Sequence, residues 1–227
     1  REGHGTLTSA NGDVYEGAFA GGAPHGRGAL RRAGEPSFEG EWVAGAQRGA
    51  GALTLADGSV VEGASFEGCA LRGPGTRTYS NGDVYRGELR ANEPHGEGAR
   101  TGADGHVLRG KWVDGRVEGR AERVEADGRL AYVGEYRGGQ RWGHGRAHGA
   151  DGDVYEGEFV ADAREGRGRL QTAAGDRVKG SWAAGKLHGP AVARLADGST
   201  YDGGWAAGLR EGHGVAVEVG GGRYDGE

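Results

Sequence analysis

The stretch Asn11–Gly28 reads NGDVYEGAFAGGAPHGRG and returns, little altered, as Asn81–Gly98 and Asp151–Gly168. With the tyrosine as register mark, equivalent positions are Tyr15, Phe38, Val61, Tyr85, Leu108, Tyr132, Tyr155, Val178, Tyr201 and Tyr224. The step is 23 residues (Tyr15 to Phe38), stretched to 24 before Tyr85 and before Tyr132. A fixed period of this length means small supersecondary units stacked in one dimension, each too thin to bury a core alone. Nine full units and two partial ends fill the chain, one continuous array over residues 1–227. Both ends fall inside a repeat, so the sequence reads as a piece of a longer protein.

Within a unit, Tyr15, Gly17 and Phe19 alternate with Glu16 and Ala18, which is the period of a strand. The same alternation holds for Phe38–Trp42, Leu108–Trp112, Tyr155–Phe159 and Tyr201–Trp205. A short polar loop follows, then a second strand opening on Gly-x-Gly, as at Gly26–Gly28, Gly96–Gly98 and Gly166–Gly168. It ends at Asn-Gly or Asp-Gly: Asn11-Gly12, Asp57-Gly58, Asn81-Gly82, Asp104-Gly105, Asp127-Gly128, Asp151-Gly152 and Asp197-Gly198. These dipeptides predict type I′ turns. Nothing has a helical period, and glycine every few residues makes a helix costly. The expectation is all-β: an elongated, single-layer, twisted antiparallel meander with one hairpin per repeat.

Composition alone suggests disorder, since Leu, Val and Phe number 33 and Ile is absent, about 15% of the chain. The 52 glycines, however, are periodic. Fifteen of the 17 aromatics fall at the first or fifth place of the first strand, with Phe66 aligned across a one-residue bulge; Tyr79 and Trp142 lie elsewhere. Rings at those places can lie flat on neighbouring glycine backbone and shield a strand that glycine would weaken. The opposite face is wet, with Glu16, Glu39, Glu41, Glu156 and Glu158 set against Arg27, Arg120, Arg167 and Arg169 for cross-strand pairing.

The pattern Tyr-x-Gly-x-aromatic, short loop, His-Gly-x-Gly, Asp-Gly resembles the MORN repeat (membrane occupation and recognition nexus). Tyr15–Gly28 and Tyr85–Gly98 carry it best, and Tyr155–Gly168 has Glu165 in place of the histidine. Departures are Val61, Leu108 and Val178 at the register position. Arg48, Glu118, Trp142, Glu165 and Glu211 also replace the histidine. The resemblance implies an aromatic-rich groove used for protein–protein contact in cytoskeletal, ciliary and membrane-junction assemblies. Some family members bind phosphoinositides, and some carry the array beside a catalytic domain.

Nothing in the sequence assembles a catalytic or cofactor site, so the expectation is a non-enzymatic segment without cofactor. His25, His95 and His188 share one repeat position, and His4, His144 and His213 another. Successive copies lie two strands apart, about 10 Å, too far to share a zinc ion whose ligands sit about 2 Å away. Asp151/Asp153 lacks the remainder of a calcium loop. Glu156 and Glu158 lie on the wet face, where burial cannot raise a carboxyl pKa for acid catalysis. Cys69 is single, so no disulfide framework exists and a reducing compartment is the default.

The function that follows is a scaffold in the cytoplasm, associated with cytoskeleton or cilium. Ten hairpins give a strip roughly 90–100 Å long before twist, suited to an extended partner segment or a helix. Tyr85, Trp112, Tyr136, Tyr155, Trp182, Tyr201 and Trp205 would line the groove, and Trp142, which departs from the repeat, joins them. Unpaired terminal edges point to homo-oligomers or flanking cover. A net charge of −5 gives no footprint for nucleic acid. The alternatives are a membrane or phosphoinositide module, for which Arg31-Arg32 and Arg109/Lys111 are the local basic clusters, and a targeting array for a catalytic domain elsewhere.

Overall fold

The computed structural model describes residues 1–32 and 36–227 and contains strands, turns and no helix among them. The chain divides into two compact units, Arg1–Arg116 and Val117–Glu227. In the first, strands from Gly3–Thr8 to Val107–Val113 pair antiparallel, each with its neighbours in sequence. In the second, the strands from Arg116–Val124 to Arg223–Gly226 do the same. Each unit is therefore an antiparallel β-meander with one hairpin per repeat, as the period predicts.

Each hairpin is pinned at three places. A bulge interrupts the first-strand pairing after the central glycine, for instance between Gly157 and Glu158. The opposing Gly166 adopts φ 60°, a left-handed conformation that glycine takes without a Cβ penalty. Phe66 reaches the fifth place across an extra residue, pairing with Leu71 as Trp42 pairs with Gln47.

The turns differ from the sequence expectation. At the seven Asn-Gly and Asp-Gly dipeptides that end the second strands only the glycine has positive φ; Gly12, at 88°, follows an Asn11 whose φ is not positive. The side chains of Asn11, Asp57, Asn81, Asp104, Asp127, Asp151 and Asp197 each accept the backbone N–H two residues on, at 2.8–3.3 Å. That Asx bond holds its own residue out of the left-handed region, and the amide of Gly12 closes the turn on the Ser9 carbonyl at 3.0 Å. The two-residue loops with both φ positive sit at the other end of the hairpin. They are Gly21-Gly22, Ala44-Gly45, Ala91-Asn92, Asp114-Gly115, Gly138-Gly139, Ala161-Asp162, Ala184-Gly185 and Ala207-Gly208. The type I′ turn is where the sequence had suggested an unspecified polar loop.

On the wet face, Glu156 and Arg169 form the expected cross-strand pair, at 3.4 Å with both side chains largely exposed. Such a pair contributes at most about 1 kcal/mol. Glu41 and Glu158 do something else: their carboxylates fold back over the bulge glycines Gly49 and Gly166, and Glu158 accepts the Arg167 N–H at 3.1 Å.

Candidate functional site: the aromatic face

Within each unit the repeat builds an apolar face from the register ring outward. Gly157 and Gly168 face each other across their hairpin, and a Cβ on Gly168 would meet Cζ and Cε2 of Tyr155 at 2.5 Å. The ring thus lies on bare backbone. Its hydroxyl donates to the carbonyl of Glu158 at 3.2 Å, tying the ring tip to the bulge. Tyr15, Tyr85, Tyr132 and Tyr201 repeat the bond to Ala18, Glu88, Glu135 and Gly204 at 2.9, 2.9, 3.1 and 3.3 Å.

The buried register rings also meet fifth-place rings edge to face. Tyr155 contacts Phe159 and Trp182 with centroids 5.2 Å apart in both cases. Tyr15 contacts Phe19 and Trp42 at 5.1 Å. Pairs of this geometry add about 0.5–1.5 kcal/mol beyond area burial. Where the register residue is aliphatic, the space beneath it is refilled. Val178 is accompanied by Ala191 in place of the second glycine, and over Gly63 and Gly75 the Leu71 side chain takes the ring's place.

The eight predicted groove residues divide three ways. Tyr85, Trp112, Tyr136, Tyr155, Trp182 and Tyr201 are buried in this packing and offer a partner little area. Trp205 is on the same face and half-buried. A shallow depression of about 450 Å³ behind it, bordered by His188, Pro190, Gly204 and Glu211, opens on the opposite face, because the pair Pro190–Gly204 alternates with the ring-face pairs Gly189–Trp205 and Ala191–Gly203. Trp142 stands on the opposite face. Its neighbour Arg141 pairs with Tyr136 and points with the rings, so Trp142 points away and lies under the Arg137 guanidinium at 5.2 Å. The indole N–H groups of Trp42 and Trp112 donate to the Gly28 and Gly98 carbonyls at 2.9 and 3.1 Å. Those of Trp182 and Trp205 are buried without an acceptor.

Sequence reasoning missed the residue opposite the fifth-place ring, second in the second strand. It covers the rings. In the first unit it is Pro24, Gln47, Leu71 and Pro94, paired with Phe19, Trp42, Phe66 and Leu89. In the second it is Val117 and then Arg141, Arg164, Leu187 and Arg210, the last four paired with Tyr136, Phe159, Trp182 and Trp205. Arg164 lies over Tyr155 and Trp182 at 5.0 and 5.4 Å. Arg210 lies over Tyr201 and Trp205 at 4.4 and 5.9 Å, and Arg141 over Tyr132 and Phe159 at 5.5 and 5.1 Å. Aligning second strands by this place would have exposed the change from neutral to cationic.

Tyr79, the other aromatic outside the pattern, is sandwiched between Arg77 and Arg100, with guanidinium carbons 4.7 and 4.5 Å from its centroid. Both arginines are neutralised. Arg77 pairs with Asp57 at 3.3 Å and with Glu93, and Arg100 with Asp83 at 2.6 Å.

The titration behaviour is structural in character. Burial pushes the Tyr85 and Tyr155 phenols up to about 12 and raises those of Tyr132 and Tyr136 as well. Asp57, Asp104 and Asp197 are held below the usual carboxylate range by hydrogen bonds from the side chain and then the backbone of Ser59, His106 and Ser199. These are the Asx-turn residues, kept ionised by the turn they cap. Among the described residues no group of three or more His, Cys, Asp or Glu is placed to hold a metal ion. His95 instead faces Asp114 at 3.6 Å, and His213 faces Asp225 at 3.0 Å.

Comparison with known proteins agrees with the geometry. No curated protein sequence matches significantly. Among solved structures the chain is similar to the TCP10 domain of Danio rerio CPAP, at 12% identity and a TM-score of 0.47 over 98% of this chain and 99% of that one. It is also similar to the TCP domain of Drosophila melanogaster SAS-4 (dCPAP), solved in complex with a proline-rich motif of Ana2. There the values are 8% identity and a TM-score of 0.27 over 99% and 90% of the two chains. At these values the likeness bears on neither partner nor site. The MORN repeat model matches residues 1–14, 15–33, 38–60, 71–84, 85–107, 132–154, 155–177, 179–200 and 201–217. The matches follow the register residues and leave 61–70 and 108–131 between them. The chain belongs to the MORN-repeat family.

Proposed function

We propose that this chain is a non-catalytic protein-interaction scaffold whose aromatic face receives an extended partner segment in a cytoplasmic assembly of the cytoskeleton or cilium, the two units working as one array. The observation that carries the reading is the half-buried Trp205, on a face otherwise sealed by rings packed on glycine. A large ring half in contact and half available is the usual anchor of an interface. Trp142 offers a second half-buried ring on the other face. Buried aromatics hold the sheet, and these two are free to contact a partner. Self-association through the edges of Gly3–Thr8 and Arg223–Gly226 belongs to the same reading, since each of these strands pairs on one side. Light scattering that gives a strict monomer at every concentration counts against that part.

The test is affinity capture from cell extract with wild type, Trp205→Ala and Trp142→Ala, run beside sedimentation with phosphoinositide vesicles. The reading expects specific proteins retained by wild type and lost with at least one variant that keeps its circular dichroism spectrum. Strong, salt-sensitive pelleting with vesicles and no protein retained would overturn it in favour of a membrane module.

A further inference from the structure

We infer that the aromatic face of the unit Val117–Glu227 is specific for an acidic extended segment, one with carboxylates spaced in multiples of three residues, read by Arg164 and Arg210 with Arg141 beside them. The inference rests on the scaffold reading and names the chemistry of the partner.

Three observations carry it. The first is charge. From the strand Leu130–Arg137 to the strand Leu209–Val217, the cross-strand register puts Tyr132, Tyr136, Tyr155, Phe159, Trp182, Tyr201 and Trp205 on one face with glycines and small aliphatic residues between them. The charged strand positions there are Arg141, Arg164 and Arg210, and none is acidic. The face is cationic although the chain carries a net charge of −5.

The second is availability. The arginines that share this face elsewhere are matched internally: Arg77 by Asp57 and Glu93, Arg100 by Asp83, and Arg123 by Glu125 at 3.2 Å. Arg141 is held by the turn residue Asp162 at 3.1 Å. Arg164 and Arg210 have no carboxylate within 4.0 Å among the described residues, and each sits over a pair of rings. A guanidinium drawn to aromatic rings is restrained by them and keeps N–H donors for a carboxylate. The ordering cost of binding is therefore partly met for these two side chains.

The third is spacing. Arg141 and Arg164 occupy the same place in successive repeats, two strands or about 9.6 Å apart, and Arg210 lies two repeats further on. A polyproline II segment turns once in three residues and rises about 9.3 Å in doing so. A chain in that conformation crossing the strands keeps one side-chain row in step with the repeat. Every third residue then falls at the lid position: carboxylate over Arg141, carboxylate over Arg164, an apolar residue over Leu187, and carboxylate over Arg210. The residues between would rest on exposed ring edges, Trp205 among them.

The experiment is fluorescence anisotropy on the whole chain with labelled peptides of about twelve residues, long enough to span the three arginines. The probes are Glu-Pro-Pro repeats, Gln-Pro-Pro repeats, and a peptide of the first composition with its glutamates clustered at one end. The inference expects the regularly spaced acidic peptide to bind about tenfold or more tighter than either control. Arg164→Gln/Arg210→Gln should bring it to the level of the Gln peptide with the melting temperature unchanged, and Arg164→Lys should keep part of the affinity. Equal binding of Glu and Gln peptides would overturn the charge assignment and leave the extended-segment reading standing. Equal binding of spaced and clustered glutamates would overturn the spacing. No binding by any peptide would count against both readings. Arginine-dependent binding to phosphatidylserine vesicles without peptide binding would overturn the inference in favour of a lipid surface.

Discussion

The Tyr155 ring occupies the volume that a methyl group on Gly168 would need. The relationship recurs at Tyr15 over Gly28, Tyr85 over Gly98, Tyr132 over Gly145 and Tyr201 over Gly214. It explains how a chain with about 15% large aliphatic and Phe side chains orders itself. A strand of glycines normally loses stability through backbone entropy and the lack of a side chain to pack. Here the missing side chain is supplied by the ring two residues away on the same face. The glycine backbone becomes the floor of the core and the aromatics its contents.

Burial of the register phenols makes the fold sensitive to alkali. Tyr85 and Tyr155 ionise at about 12 in the folded chain against an ordinary value of 10.0. Below pH 10 the phenols are neutral in both states and the full stability is present. As pH rises from 10 towards 12 the unfolded chain ionises first, so stability is lost across that window. Ultraviolet difference titration should show the ionisation of the buried tyrosines coinciding with loss of the folded circular dichroism spectrum. Ionisation of Tyr85 and Tyr155 near 10 in the folded state would contradict the packing.

Trp182 and Trp142 should separate stability from contact. Trp182 is buried against Tyr155, so Trp182→Ala is expected to cost about 3–5 kcal/mol in urea unfolding. Trp142 is half-buried on the wet face, where Arg137 is its ring contact. Trp142→Ala is expected to cost about 1 kcal/mol or less. Equal costs would mean that Trp142 belongs to the core.

The tight turns hold residues in a conformation that suits glycine better. Ala207 has φ 51° beside Gly208 at 90°. A left-handed L-residue costs roughly 1–2 kcal/mol, and glycine's extra chain entropy returns roughly 0.5–1 of that. Ala207→Gly should raise stability by about 0.5–1 kcal/mol, read as an upward shift of the melting temperature. The same change at Ala196, in the Asx turn and not left-handed, should lower it.

Much of this fold was legible in the sequence because the repeat restates each requirement many times. The register residues, the alternation, the bulge before Phe66 and the rings on glycine all follow from period and residue type. The turn types did not, because Asp-Gly serves two turns equally well. Only the hydrogen bond that the amide two residues on donates to the Asp57 or Asp197 side chain decides between them. The site was less legible. Its departure from the repeat put Trp142 among the groove residues, although alternation from Arg141 puts it on the other face. The arginine row escaped notice because the lid place holds Pro, Gln, Leu, Val or Arg in different repeats and so has no consensus to recognise.

The central claim, that ring and glycine are one unit, is tested most directly by a double-mutant cycle at Tyr155 and Gly168. Gly168→Ala alone should destabilise by about 1–3 kcal/mol, because the methyl must displace a buried ring. In the background of Tyr155→Val, which copies the natural Val178 and Ala191 pairing, the same Gly168→Ala should be neutral or stabilising, giving a coupling of about 1 kcal/mol or more in urea unfolding. Additive effects, with Gly168→Ala equally costly with and without the tyrosine, would contradict the account.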